Sequence, residues 1–126
     1  MIQQRTILKV SDNSGAKTGK CLKVLGGLKK KYPKTGDIVI VSIQHLRNKS
    51  KKTSKVKDKE IYKALIVQTK TSCRRKTGYE IFLKKNAIVL LNKQGNPIGT
   101  RILGPLPQIL KKKKLQKFIS ICTGIL

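Results

Sequence analysis

The chain has 126 residues, of which 30 are Lys or Arg and 5 are Asp or Glu, a formal net charge of +25. That length suits one compact domain, and with 38% hydrophobic residues, no Trp and 4% aromatics its core must come from Ile, Leu and Val. No apolar run approaches the roughly 20 residues of a membrane span, and the opening MIQQRTILKV lacks the apolar stretch and cleavage site of a secretory signal.

In chain order, RTILKV (5–10) reads as a short strand. SDNSGAK follows, where Asp12, Asn13, Ser14 and Gly15 form a dense turn signal. CLKVLGG (21–27) alternates and predicts a second strand ending at a glycine pair. LKKKYPKTGD is a basic loop closing in a tight turn at Gly36 and Asp37, and IVIVSI (38–43), rich in β-branched residues, is the clearest strand. Residues 45–60, HLRNKSKKTSKVKDKE, hold almost no apolar side chain. They are either disordered or a projecting arm, and a two-stranded ribbon fits because strands resume on both sides. IYKALIVQT (61–69) is the next strand, KTSCRRKTG leads to a turn at Gly78, and YEIFLK and AIVLL predict two more strands. QGNPIGTRILGP then makes turns around a short strand and carries a single charge, Arg101. Beyond Pro107, the spacing of Ile109, Leu110, Leu115, Phe118 and Ile119 is compatible with one or two short helices. The final SICTGIL is apolar enough to dock on the body. Many short strands with regular turn signals predict a mainly β fold, a small barrel rather than a parallel α/β sheet. Barrel closure also removes exposed sheet edges.

The chemistry of the residues argues against an enzyme. Asp12 and Asp37 fall in turns, where Asp caps nearby backbone N–H groups, and Asp58 and Glu60 moderate a lysine-rich arm. No carboxylate pair is placed for acid–base or two-metal work, and neither a nucleophile elbow nor Walker spacing is present. Cys21, Cys73 and Cys122 are widely spaced, with His45 the one histidine, a pattern of buried reduced thiols rather than a zinc site. No cofactor or small-molecule substrate is implied. The basic clusters carry the signal: Lys29, Lys30, Lys31 and Lys34; residues 47–59; Arg74, Arg75 and Lys76; and residues 111–114. Repulsion on this scale destabilises an isolated compact state, and a polyanion relieves it while releasing counterions. A solubilising surface would mix both signs. With few aromatics for base stacking, phosphate and shape readout of structured RNA is expected. A basic amphipathic C-terminal helix lying on an anionic membrane is the lesser alternative, because its apolar face is short.

The turn VSDNSGAK, the strand KVLGG, the turn TGDI and the stretch NPIGTRILGP stand in this order. Together they resemble the universal large-subunit ribosomal protein fourteen family over residues 1–126. The resemblance implies a five-stranded β-barrel with a projecting β-ribbon and short C-terminal helices, forming a single rRNA-binding domain with its arm at 45–60 and its helical region at 107–126. It implies a non-enzymatic, structural role: binding large-subunit rRNA beside ribosomal proteins three and nineteen, and contributing to bridges with small-subunit rRNA. The alternative is a free architectural RNA- or DNA-binding protein. The expected rRNA contacts are Asn13, Ser14 and Lys17 in a turn, Lys29, Lys30 and Lys31 in the basic loop, Arg47, Lys49, Lys51, Lys52 and Lys55 in the arm, and Arg74 with Arg75. Thr100, Arg101 and Lys117 match the family's face for small-subunit joining and for a ribosome silencing factor. An arginine there can grip phosphate or carboxylate bidentately. The chain departs from the family pattern in its longer arm, in Leu83 where an aromatic is usual, in Thr77 before Gly78, and in PQIL with four lysines after the GP pair. The Lys-, Ile- and Asn-rich wording without a targeting segment suggests an organelle-encoded protein of the mitochondrial matrix, with a plastid or the bacterial cytoplasm as alternatives.

Overall fold

A computed structural model describes residues 1–47, 54–112 and 115–126. In chain order the strands are β1 (Ile7–Val10), β2 (Ala16–Val24), β3 (Ile38–Leu46), β4 (Ile61–Gln68), β5 (Cys73–Arg74), β6 (Glu80–Ile81) and β7 (Ala87–Leu91). Two short helices follow, α1 (Ile109–Lys112) and α2 (Gln116–Ser120). Five strands close into a barrel in the order β1-β2-β3-β4-β7, and β5 pairs with β6 in a separate two-stranded sheet. Antiparallel ladders join most neighbours; the seam is parallel, with Lys9 opposite Ala87 and Val10 opposite Ile88.

The strands fall into two kinds by what covers their outer face. In β1 and β3 burial alternates: Leu8 and Val10, then Val39, Val41 and Ile43, point into the barrel while their neighbours face outward. In β4 and β7 the apolar residues are continuous, and both faces are covered. Ala64, Ile66, Ile88 and Leu90 fill the barrel interior with Leu8, Val10 and Cys21. Leu65, Val67, Val89 and Leu91 face the other way, onto Ile102, Leu106, Leu110 and Phe118 from the C-terminal segment. Full burial of a Leu or Ile is worth about 1.5–3 kcal/mol, so this outer layer holds the C-terminal segment against the barrel. Bridges from Ile102 to Cys122 and from Leu106 to Ile125 complete the docking of the last residues.

Several local expectations are corrected. β2 begins at Ala16, inside the stretch read as a turn, because the Asp12–Gly15 turn is tight enough to return the chain at once. The strand expected at YEIFLK shrinks to Glu80–Ile81, since Phe82 is exposed and has no core to enter. Residues 48–53 of the arm, with Lys49, Lys51 and Lys52, lie outside the described residues. The returning limb of the arm is not a ribbon strand. Val56 is 1% exposed and belongs to the barrel core, and the Lys55 N–H donates to Ser14 O at 2.9 Å. Gly15 permits this docking: its φ is +101°, and a Cβ there would lie 2.7 Å from Ser54 Cβ. The described two-stranded sheet is instead β5–β6. Of the three thiols only Cys21 is fully buried; Cys73 and Cys122 are half-buried.

Candidate nucleic-acid interface

The turn after β1 is organised by a buried carboxylate. Asp12 is 0% exposed. Its Oδ1 accepts the Ser14 N–H at 3.0 Å and also the Ser14 hydroxyl, and its Oδ2 accepts the Leu90 N–H at 2.9 Å. Ser14 is itself 0% exposed, so its expected place in an rRNA-facing turn is corrected: the hydroxyl is spent inside the protein.

Asn13 is exposed, but its amide is also engaged. Its Oδ1 accepts the N–H groups of Thr100 at 2.7 Å and Arg101 at 3.2 Å, and its Nδ2 donates to Thr100 Oγ1 at 2.7 Å. Asn13 is therefore a latch on the segment that carries Thr100 and Arg101. Gly99 makes the close approach possible, since a Cβ there would lie 2.8 Å from Asn13 Oδ1 and 2.9 Å from Asp12 Cβ. The other side of the segment is held by bridges from Ile102 to Asp12 and to Cys122. Lys117, exposed on α2, donates from Nζ to Asn96 Oδ1 at 2.8 Å. Thr100 and Arg101 are thus exposed on a braced backbone, and the Lys117 ammonium meets the side chain of Asn96. Sequence reasoning named these three residues and did not see that Asp12 and Asn13 brace the segment carrying two of them. The signal was the turn composition, which was read as facing outward.

The cationic residues fall in three further places. Lys29 and Lys31 are exposed in the loop after β2 and, with Lys30, Lys23 and Tyr32, line one groove. Lys30 is partly neutralised by Asp37 at 2.7 Å. Arg74 and Arg75 line a second groove with Lys76, at the β5–β6 turn. Arg47 and Lys17 line a third, at the end of the barrel. Arg47 is held by its Nη2, which donates to Val10 O at 2.9 Å, and by its N–H, which donates to Gly15 O at 2.8 Å. Lys55 is exposed, and its backbone pins the arm to Ser14. Five acids against 30 cations leave most of this charge without a partner in the chain. Among the described residues no three of His, Cys, Asp and Glu come together as a metal site, and no helix is long and apolar enough to cross a membrane.

Two ionisable groups are displaced from their ordinary range. Burial pushes the Cys21 thiol up. Tyr62 is raised first by burial and then by the hydrogen bond its hydroxyl donates to Glu60 at 2.5 Å. Neither lines any of the three grooves described above.

Fold and surface define a class: a small closed β-barrel whose loops present uncompensated cations. The profile of the family described as Ribosomal protein L14p/L23e matches residues 1–126, the whole chain, and the chain belongs to that family. It is a structural protein of the large ribosomal subunit, in a family that is not one of enzymes.

Proposed function

We propose that within the large subunit this protein binds large-subunit rRNA through its basic loops and presents a separate braced face to the small subunit. The observation that carries the reading is the distribution of charge. Lys29, Lys30 and Lys31, then Arg47 and Lys55, then Arg74 and Arg75, stand on different loops of one rigid barrel. Such an arrangement grips a folded polyanion from several directions, by phosphate contact rather than base stacking. Lys17 joins the set from β2, and Lys49, Lys51 and Lys52, which lie outside the described residues, are proposed contacts as well.

Thr100, Arg101 and Lys117 form the second face. A fixed backbone lowers the ordering cost of a contact made there, which suits bridging to small-subunit rRNA and recognition by a ribosome silencing factor. Ribosomal proteins three and nineteen are the proposed neighbours in the subunit, and the mitochondrial ribosome is the proposed setting, ahead of plastid or bacterial ones. Ultraviolet crosslinking of purified large subunits tests the rRNA contacts. Peptides containing Lys29 to Lys31 or Arg74 and Arg75 are expected on large-subunit rRNA. Crosslinks to proteins alone would refute the assignment.

A further inference from the structure

We infer that the outer face of the barrel across β1, β2, β3 and the start of β4 is a docking surface for another protein, one that presents apolar side chains flanked by carboxylates. The strand register lays this face out in two rows. In one, Ile7 stands opposite Lys20, Lys20 opposite Ser42 and Ser42 opposite Ile61. In the other, Lys23 stands opposite Ile40, Ile40 opposite Lys63 and Lys63 opposite Leu91. Residues opposite one another share a face. The alternate residues of β3, Val39, Val41 and Ile43, fill the barrel, so both rows point outward. With strands about 4.8 Å apart, each row crosses about 14 Å of surface.

The apolar members are open. Ile7 is 65% exposed, Ile61 64% and Leu22 40%, and Ile40 is half-buried. β2 carries an extra residue against β3 at Lys17 and again at Leu22. Such a bulge re-aims a side chain, and the second leaves Leu22 exposed beside Lys23. Single exposed apolar residues are ordinary, but a group of them on one face marks an interaction surface. The chain's own outer cover lies over Leu65, Val89 and Leu91 and ends where this face begins. Leu91 is buried, and the next residue in its row, Lys63, is exposed. Ile40, Ile61, Leu91 and Ile98 line a groove along that boundary.

Charge selects the occupant. Lys20, Lys23 and Lys63 stand among the apolar residues, and Lys93 lines the groove. Glu60, which also lines it, accepts the Tyr62 hydroxyl at 2.5 Å and lies 3.8 Å from Lys57 Nζ. A second copy of the chain would set lysines against lysines. An RNA strand would meet the cations but hold phosphates against Ile7, Leu22 and Ile61. An acidic, apolar-faced protein segment satisfies both features, with an apolar centre and charges that fix the register. This inference does not depend on the proposed rRNA contacts.

The test places the photoreactive residue benzoylphenylalanine at position 61, or at position 7 should the first variant fail to enter subunits. Purified large subunits are irradiated and the products sequenced by mass spectrometry. The expected product joins the site to a segment of another protein that carries both apolar and acidic residues. Adding Lys63→Glu is expected to lower its yield roughly tenfold, because a like-charge contact replaces an opposite one. Lys111→Glu, the same charge change at an exposed site on α1, is expected to leave the yield unchanged. Crosslinks to rRNA, to lipid or to a second copy of the chain would overturn the inference. So would the absence of any crosslink at both positions, a protein segment without acidic residues, or a yield that Lys63→Glu and Lys111→Glu change equally.

Discussion

Replacing Asn13 by alanine should loosen the face that carries Thr100 and Arg101 without unfolding the barrel. The side chain makes three hydrogen bonds, to Thr100 N, Arg101 N and Thr100 Oγ1, at 2.7, 3.2 and 2.7 Å. At about 0.5–1.5 kcal/mol net for each bond, the latch is worth about 1.5–4.5 kcal/mol. The site is exposed, and water replaces part of what is lost, which places the effect at about 1.5–2 kcal/mol. With about 1.4 kcal/mol for each factor of ten, the segment should open roughly 10–30 times more often. Amide hydrogen exchange read by NMR gives the answer directly. Protection at Thr100 and Arg101 should fall by that factor, while Ile66 and Leu90, whose side chains sit in the barrel core, stay unchanged. Asn13→Asp keeps the acceptor and loses the donor, so it should recover most of the protection. Unchanged exchange at Thr100 and Arg101 in Asn13→Ala would refute the latch.

Asp12→Ala strands two buried N–H groups and the Ser14 hydroxyl. At about 1–3 kcal/mol for each unsatisfied group, partly relaxed, it should cost about 3–4 kcal/mol, read as a lower urea midpoint with an unchanged slope. Arg101→Glu should leave large subunits assembled and impair their joining to small subunits in sucrose gradients; loss of assembly would make Arg101 an internal contact. Because burial raises the Cys21 thiol above its ordinary 9.0, the native thiol stays protonated where the unfolded one ionises. Stability should therefore fall as pH rises above about 9, and less so in Cys21→Ala. Iodoacetamide at pH 8 should label Cys73 and Cys122 well before Cys21.

The barrel was legible in the sequence because many short apolar strands alternate with regular turn signals. The apolar runs IVIVSI, ALIV and AIVLL mark strands, but only the structure separates β3, whose burial alternates, from β4 and β7, which are covered on both faces. The outer cover of β4 and β7, from Ile102 and Leu106 through Leu110 and Phe118, was not read from the sequence. The arm was harder to read. Val56 is a lone apolar residue in a lysine-rich stretch, too little for any periodic signal, yet it anchors the return limb in the core. The turn at residues 12–15 was recognised as a turn, but its polar side chains point inward and sideways. Turn composition reports backbone shape and says nothing about where each polar group finds its partner. The bulge at Lys17 was likewise hidden, since it depends on the register against β3 and not on local composition.

Sedimentation of a native lysate tests the central claim most directly. The account expects the protein to co-migrate with intact large subunits and to be released only in high salt, as contacts made by phosphate neutralisation require. A protein found only in the free fractions at low salt, with large subunits assembled without it, would contradict the account and favour a free architectural binder.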